Sequence, residues 1–138
     1  ITPSAIRYSY RLMFEDRSIE LMTYTPETLL AEKIQTILAR GITTTRMRDY
    51  YDVYEIVVGN KVSIDKEVLA EAFTATCMKR KTIFGSEQIE KIVNEISADE
   101  ELLNLWDLYK NDNFYVGDIK WTVVCEAVCA YIRDNISK

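Results

Sequence analysis

One stretch constrains the fold of this chain more than any other: Thr25 to Ile56, TPETLLAEKIQTILARGITTTRMRDYYDVYEI. Thr25-Pro26-Glu27 starts a helix. Threonine can cap the first free amides, proline suits the first helical position, and Glu27 sits at the positive end of the helix dipole. The helix runs to Ala39 or Arg40, and Gly41 ends it. Thr43 to Thr45 are placed to cap a second helix over 46–58, which Gly59-Asn60 stops. So short a connection predicts two antiparallel, packed helices.

The charges in this stretch are set against apolar neighbours. Leu29, Leu30 and Ile37 stand at i−4, i−3 and i+4 to Lys33, so the lysine flanks the apolar face, with Arg40 along the same column at i+7. Val53 and Ile56 follow Asp49 at i+4 and i+7, which places Asp49 on the buried side of its helix with Asp52 beside it. A buried carboxylate needs a partner, because an unpaired charge away from water is costly. Lys33, Arg46 and Arg48 are the candidates. Two readings fit this pattern: an internal ion pair that locks the helical hairpin, or a partly desolvated lysine aimed at a phosphate group.

Ahead of this stretch, residues 5–14 alternate apolar and polar, and 19–24 form a second short apolar run. Together they predict an antiparallel β-hairpin around Glu15-Asp16. Behind it the pattern is helical to the end, with helices expected near 65–80, 86–96, 99–110 and 118–136. Ser97-Ala98-Asp99-Glu100 has capping-box form. Trp106 and Trp121 read as core anchors. The fold class is therefore α+β, mostly α: an N-terminal hairpin followed by a bundle of about six helices in a single domain.

Composition narrows the function. The chain has 138 residues with 48% hydrophobic content, enough for a real core. Its net charge of −5 excludes a uniformly basic nucleic-acid surface, so phosphate binding must come from a local cluster. Arg46, Arg48 and the run Lys79-Arg80-Lys81 are the candidates, although the run also reads as a solvated helix end. The sequence holds no histidine, which removes the commonest general base. Three cysteines, Cys77, Cys125 and Cys129, suggest no disulfide scaffold and a reducing, cytoplasmic setting. No apolar run approaches a membrane span.

Order and spacing in the central stretch resemble the AbiEii/AbiGii toxin family of nucleotidyltransferase-like proteins. The family pattern Y-x-x-E-x-x-x-A-E-K matches Tyr24, Glu27 and Leu30-Ala31-Glu32-Lys33. After a loop that follows Arg-Gly, its R-D-x-x-D matches Arg48-Asp49-Tyr50-Tyr51-Asp52. The resemblance implies a DNA-polymerase-β-type nucleotidyltransferase, a toxin of toxin–antitoxin and abortive phage-infection systems. By that resemblance Lys33, with Arg46 and Arg48, would bind the NTP. Lys33, Asp49 and Asp52 would be the catalytic residues, and the acceptor would be an RNA such as tRNA. A cognate antitoxin would be the protein partner. Mg²⁺ is implied for the full-length protein, on a Gly-Ser motif with downstream acids. The only Gly-Ser here is Gly85-Ser86, far too late in the chain. That motif is therefore expected upstream of Ile1, with these residues a C-terminal part that binds no metal and transfers no nucleotide alone. The other reading is a helical interaction module without chemistry, binding an antitoxin or another protein.

Overall fold

The computed structural model describes residues 25–43, 46–59 and 63–136. The hairpin expected over 5–24 lies outside the described residues, as do Tyr24, Thr44, Thr45 and Asn60. Among the described residues there are six α-helices and no strand: α1 Pro26–Arg40, α2 Met47–Val58, α3 Lys66–Lys79, α4 Ser86–Ala98, α5 Glu100–Asp112 and α6 Trp121–Asn135. Two 3-10 turns, Gly41–Thr43 and Phe114–Val116, complete them.

Local chemistry sets most of the boundaries. The Thr25 hydroxyl accepts from the Thr28 amide at 3.1 Å, and Pro26 opens α1. Gly41 closes it with φ +53°, a left-handed conformation that a side chain would resist. Asp65 caps α3 by accepting from the amides of Glu67 and Val68. Asp99 does the same for α5, from Glu101 and Leu102. Each such cap contributes about 1 kcal/mol.

Two expected caps are corrected. Ser97 does not cap α5; it belongs to α4 and its hydroxyl donates to the Val93 carbonyl. Asp99, two residues later, has the shorter reach to the free amides and takes the position. Thr43 does not cap α2 either. Its hydroxyl donates back to the Arg40 carbonyl, and α2 begins at Met47 with Arg46 in the cap position and no side-chain cap.

The core forms where helical spacing repeats apolar residues. Leu30, Ile34, Ile37 and Leu38 of α1 meet Tyr50, Val53 and Ile56 of α2, and α6 adds Val124, Val128 and Ile132. Helix α1 packs mainly on α3 and α2, while α6 covers α2 and α4. Trp106 is fully buried and donates its indole N–H to the Ile119 carbonyl at 2.9 Å. Its ring lies 5.9 Å from Trp121, which in turn meets Tyr50 edge-on at 5.0 Å. The three cysteines are free and buried. At the start of α1, Glu27 accepts the Asp65 amide at 2.8 Å and ties α1 to the beginning of α3.

Candidate functional site

Helices α1 and α2 bring Lys33 and the two aspartates together. Lys33 Nζ donates to Asp49 Oδ1 at 3.0 Å and lies 3.0 Å from Asp52 Oδ2. The pair stands one turn apart on α2, so one ammonium from α1 reaches both. Both carboxylate side chains are essentially sealed, at 2% and 1% exposure, and Lys33 is nearly so at 12%. Arg46 completes the cluster from the entry to α2. Its NH2 group donates to Asp49 Oδ1 at 3.4 Å, and its Nε lies 3.1 Å from Asp49 Oδ2. The Nε approach is bent, so Oδ2 is a buried oxygen with a charge beside it but no aligned donor. Nearly buried Lys33 and, from the half-exposed rim, Arg46 thus balance two sealed anions, the condition under which buried charges are tolerated. An ammonium has three donors and the aspartates take two. Among the described residues the third N–H has no acceptor.

Lys33 and Asp49 open onto a cleft of about 400 Å³ lined also by Glu32, Gln35, Thr36, Arg40, Arg46 and Arg80. Four cations on one cleft is a local concentration against the net charge of −5. A larger depression of about 680 Å³ runs along α4, but all its lining residues come from that one helix. It is an open helix face with no converging groups. Arg48 does not line the cleft; it is half-buried on the Tyr109 side of α2, where its charge favours the ionised form of that phenol.

Three phenols sit around Asp52 and the end of α5. Burial pushes Tyr51 and Tyr109 well above the usual tyrosine range, and the Asp52 carboxylate adds to both shifts. The Tyr109 and Tyr115 hydroxyls are 2.7 Å apart. Tyr50 is raised as well, first by burial and then by Cys129, and its hydroxyl is buried without a hydrogen-bond partner.

Among the described residues no group of three or more His, Cys, Asp or Glu is disposed to hold a metal ion. Asp49 and Asp52 are both turned onto cations. They do not fit a Mg²⁺ site.

Two participants escape the motif reading. Gln35 is 2% exposed and lines the cleft two residues after Lys33. Ala31 at i−4 and Leu38 at i+3 place it on a buried column, a signal present in the helical wheel. Arg80 belongs to the basic run read as a solvated helix end, yet it folds back onto α1. Its NH1 donates to Gln35 Oε1 at 2.6 Å and to the Thr36 hydroxyl at 3.0 Å. Gln35 Nε2 in turn donates to the Thr82 hydroxyl at 3.2 Å.

Helix α2 thus holds two sealed aspartates against a lysine of α1, at the edge of a basic cleft. Comparison with family models takes this further. Residues 1–126 match the family described as nucleotidyl transferase AbiEii toxin, type IV toxin–antitoxin system. The chain belongs to this family, and membership implies a cognate antitoxin. The match reaches well past the central stretch into α6. No curated protein and no solved structure matches the chain significantly. No helix among the described residues is long and apolar enough to cross a membrane.

Proposed function

We propose that the Lys33 cleft binds the phosphates of an NTP and that the parent activity moves a nucleotide from it to a hydroxyl acceptor such as tRNA. In that reaction the acceptor oxygen bonds to the α-phosphorus, the bond to pyrophosphate breaks, and the hydroxyl proton is released. Lys33 offers its third N–H to the phosphates, with Arg46 and Arg40 on the same cleft. Asp49 and Asp52 hold the ammonium in place, since a long lysine chain aimed by two carboxylates loses little further freedom on binding. Arg48 lies outside the cleft and acts through the tyrosines on the other side of α2. The observation that carries this reading is Lys33 at 3.0 Å from each of two sealed carboxylates, on the wall of a cleft with three arginines.

The same burial favours a second reading, in which Lys33, Asp49 and Asp52 only lock the hairpin of a non-catalytic module that engages an antitoxin or another protein. The two part on ligand binding. Equilibrium dialysis of the 138-residue chain against each of four labelled NTPs should show saturable binding of at least one, displaced by tripolyphosphate. Absence of binding for all four would favour the lock. The test reads binding because the only Gly-Ser in residues 1–138, Gly85-Ser86, lies after the Lys33 and Asp49 motifs instead of before them.

A further inference from the structure

Arg80 lies 47 residues from Lys33 in sequence and lines the same cleft. We infer that Arg80 is a second phosphate-gripping residue of the Lys33 cleft, and that buried Gln35 is the positioning residue that aims it. This rests on the reading of the cleft as a phosphate site.

Three observations converge. The first is the seat of the guanidinium. One edge, NH1, is fixed by three acceptors on α1: Gln35 Oε1, the Thr36 hydroxyl and, at 3.5 Å, the Glu32 carbonyl. NH2 has only a long 3.9 Å ion pair to Glu32, and that carboxylate is itself partly exposed. The guanidinium is therefore held on one side and has donors left for a ligand on the other. A planar fork presented in this way suits a phosphate oxygen pair.

The second is what lies beneath it. A glutamine this buried must satisfy both ends of its amide. Its oxygen takes Arg80 and its nitrogen takes Thr82, so one side chain fixes both residues that flank Lys81. The third is the backbone between them. Lys81 has φ +58°, the one non-glycine residue in the left-handed region among those described. It closes α3 as a Schellman turn, with the Thr82 amide on the Cys77 carbonyl at 2.8 Å and the Lys81 amide on Met78 at 3.2 Å. Glycine is the usual residue at that position. Turning the chain there brings Arg80 and Thr82 onto α1 at the same time.

A phosphate could reach Arg80 from either substrate, as part of the triphosphate or of an RNA backbone, and the test separates these sources. Titration calorimetry is run on the 138-residue chain with tripolyphosphate, with ATP, GTP, CTP and UTP, and with a short single-stranded RNA, at two salt concentrations. Arg80→Ala should weaken the phosphate ligand by on the order of tenfold or more. It should also flatten the salt dependence by about one charge, a change that a purely structural role would not produce. Arg80→Lys should restore part of the affinity, and Gln35→Leu should weaken binding less than Arg80→Ala while leaving Arg80 intact. Weakening of tripolyphosphate and NTP assigns Arg80 to the nucleotide; weakening of RNA alone assigns it to the acceptor. Should Gln35→Leu fail to fold, Thr82→Val releases the other end of the same amide.

Arg80→Ala binding every ligand as wild type does, while removal of Lys33 abolishes binding, would overturn the assignment of Arg80 and leave Lys33 standing. Unchanged binding without Lys33 would overturn the phosphate reading itself. No binding by the wild-type chain would overturn both.

Discussion

Two polar networks are tied to α1, and they are made of different materials. Around Lys33 the partners are all charged, and three of the four are almost dry: two aspartates near 1–2% exposure and a lysine at 12%, with a half-exposed Arg46 at the rim. Around Gln35 they are a neutral amide, two threonine hydroxyls and a guanidinium that is 38% exposed. The first network has no inexpensive way to lose Lys33, Asp49 or Asp52, because each of those deletions unbalances charge held away from water. The second can lose a member, because Arg80 can turn to solvent. Stability is therefore expected to be concentrated at Lys33, and adjustability at Arg80.

The sharpest way to break that contrast is to remove Lys33. Lys33→Met removes the cation that Asp49 and Asp52 share and should lower stability by about 3–5 kcal/mol, read as a large drop in melting temperature. The triple variant Lys33→Met, Asp49→Asn, Asp52→Asn removes charge of both signs and should recover most of that loss. A single variant that melts like wild type would mean that the aspartates are not sealed as described.

Next in size is an alkaline effect on the tyrosine side of the same cluster. Tyr50, Tyr51 and Tyr109 all have phenols raised above their ordinary 10.0 by burial. In the unfolded chain they ionise near that value; in the folded chain they keep their protons. Stability is thus fully present below pH 10 and falls above it, by up to about 1.4 kcal/mol per pH unit for each phenol. Tyrosinate absorbance followed against pH should show these phenols ionising late, together with unfolding. Early, gradual ionisation of all tyrosines would contradict their burial.

The amide network should respond less. Gln35→Leu should cost about 1 kcal/mol or less, since leucine fills a buried site and the partly exposed Arg80 returns to water. A loss as large as that of Lys33→Met would erase the distinction between the networks. Smallest of all, Lys81→Gly should raise stability by up to about 1 kcal/mol by relieving the left-handed backbone, measured by chemical denaturation.

The two networks were not equally legible in the sequence. Asp49 and Asp52 could be paired with Lys33 because the helices that carry them are joined by a short loop and the wheel shows both facing inward. The six helices were legible for the same local reason: Thr25, Asp65 and the glycines mark their ends, and apolar spacing marks their faces. Arg80 was legible only as a charge. What turns it onto α1 is a left-handed lysine and a glutamine 45 residues earlier, a long-range arrangement that no periodicity encodes. Ser97 failed as a cap because Asp99 competes for the same amides, and capping patterns do not rank neighbours two residues apart.

The central claim is that the Lys33 cluster serves a ligand and does more than hold two helices together. It is tested most directly by NTP binding to the triple variant, once that variant is shown to melt close to wild type. The expected result is a folded protein whose saturable, tripolyphosphate-displaceable binding is lost. A folded triple variant that binds the nucleotide with wild-type affinity would contradict it.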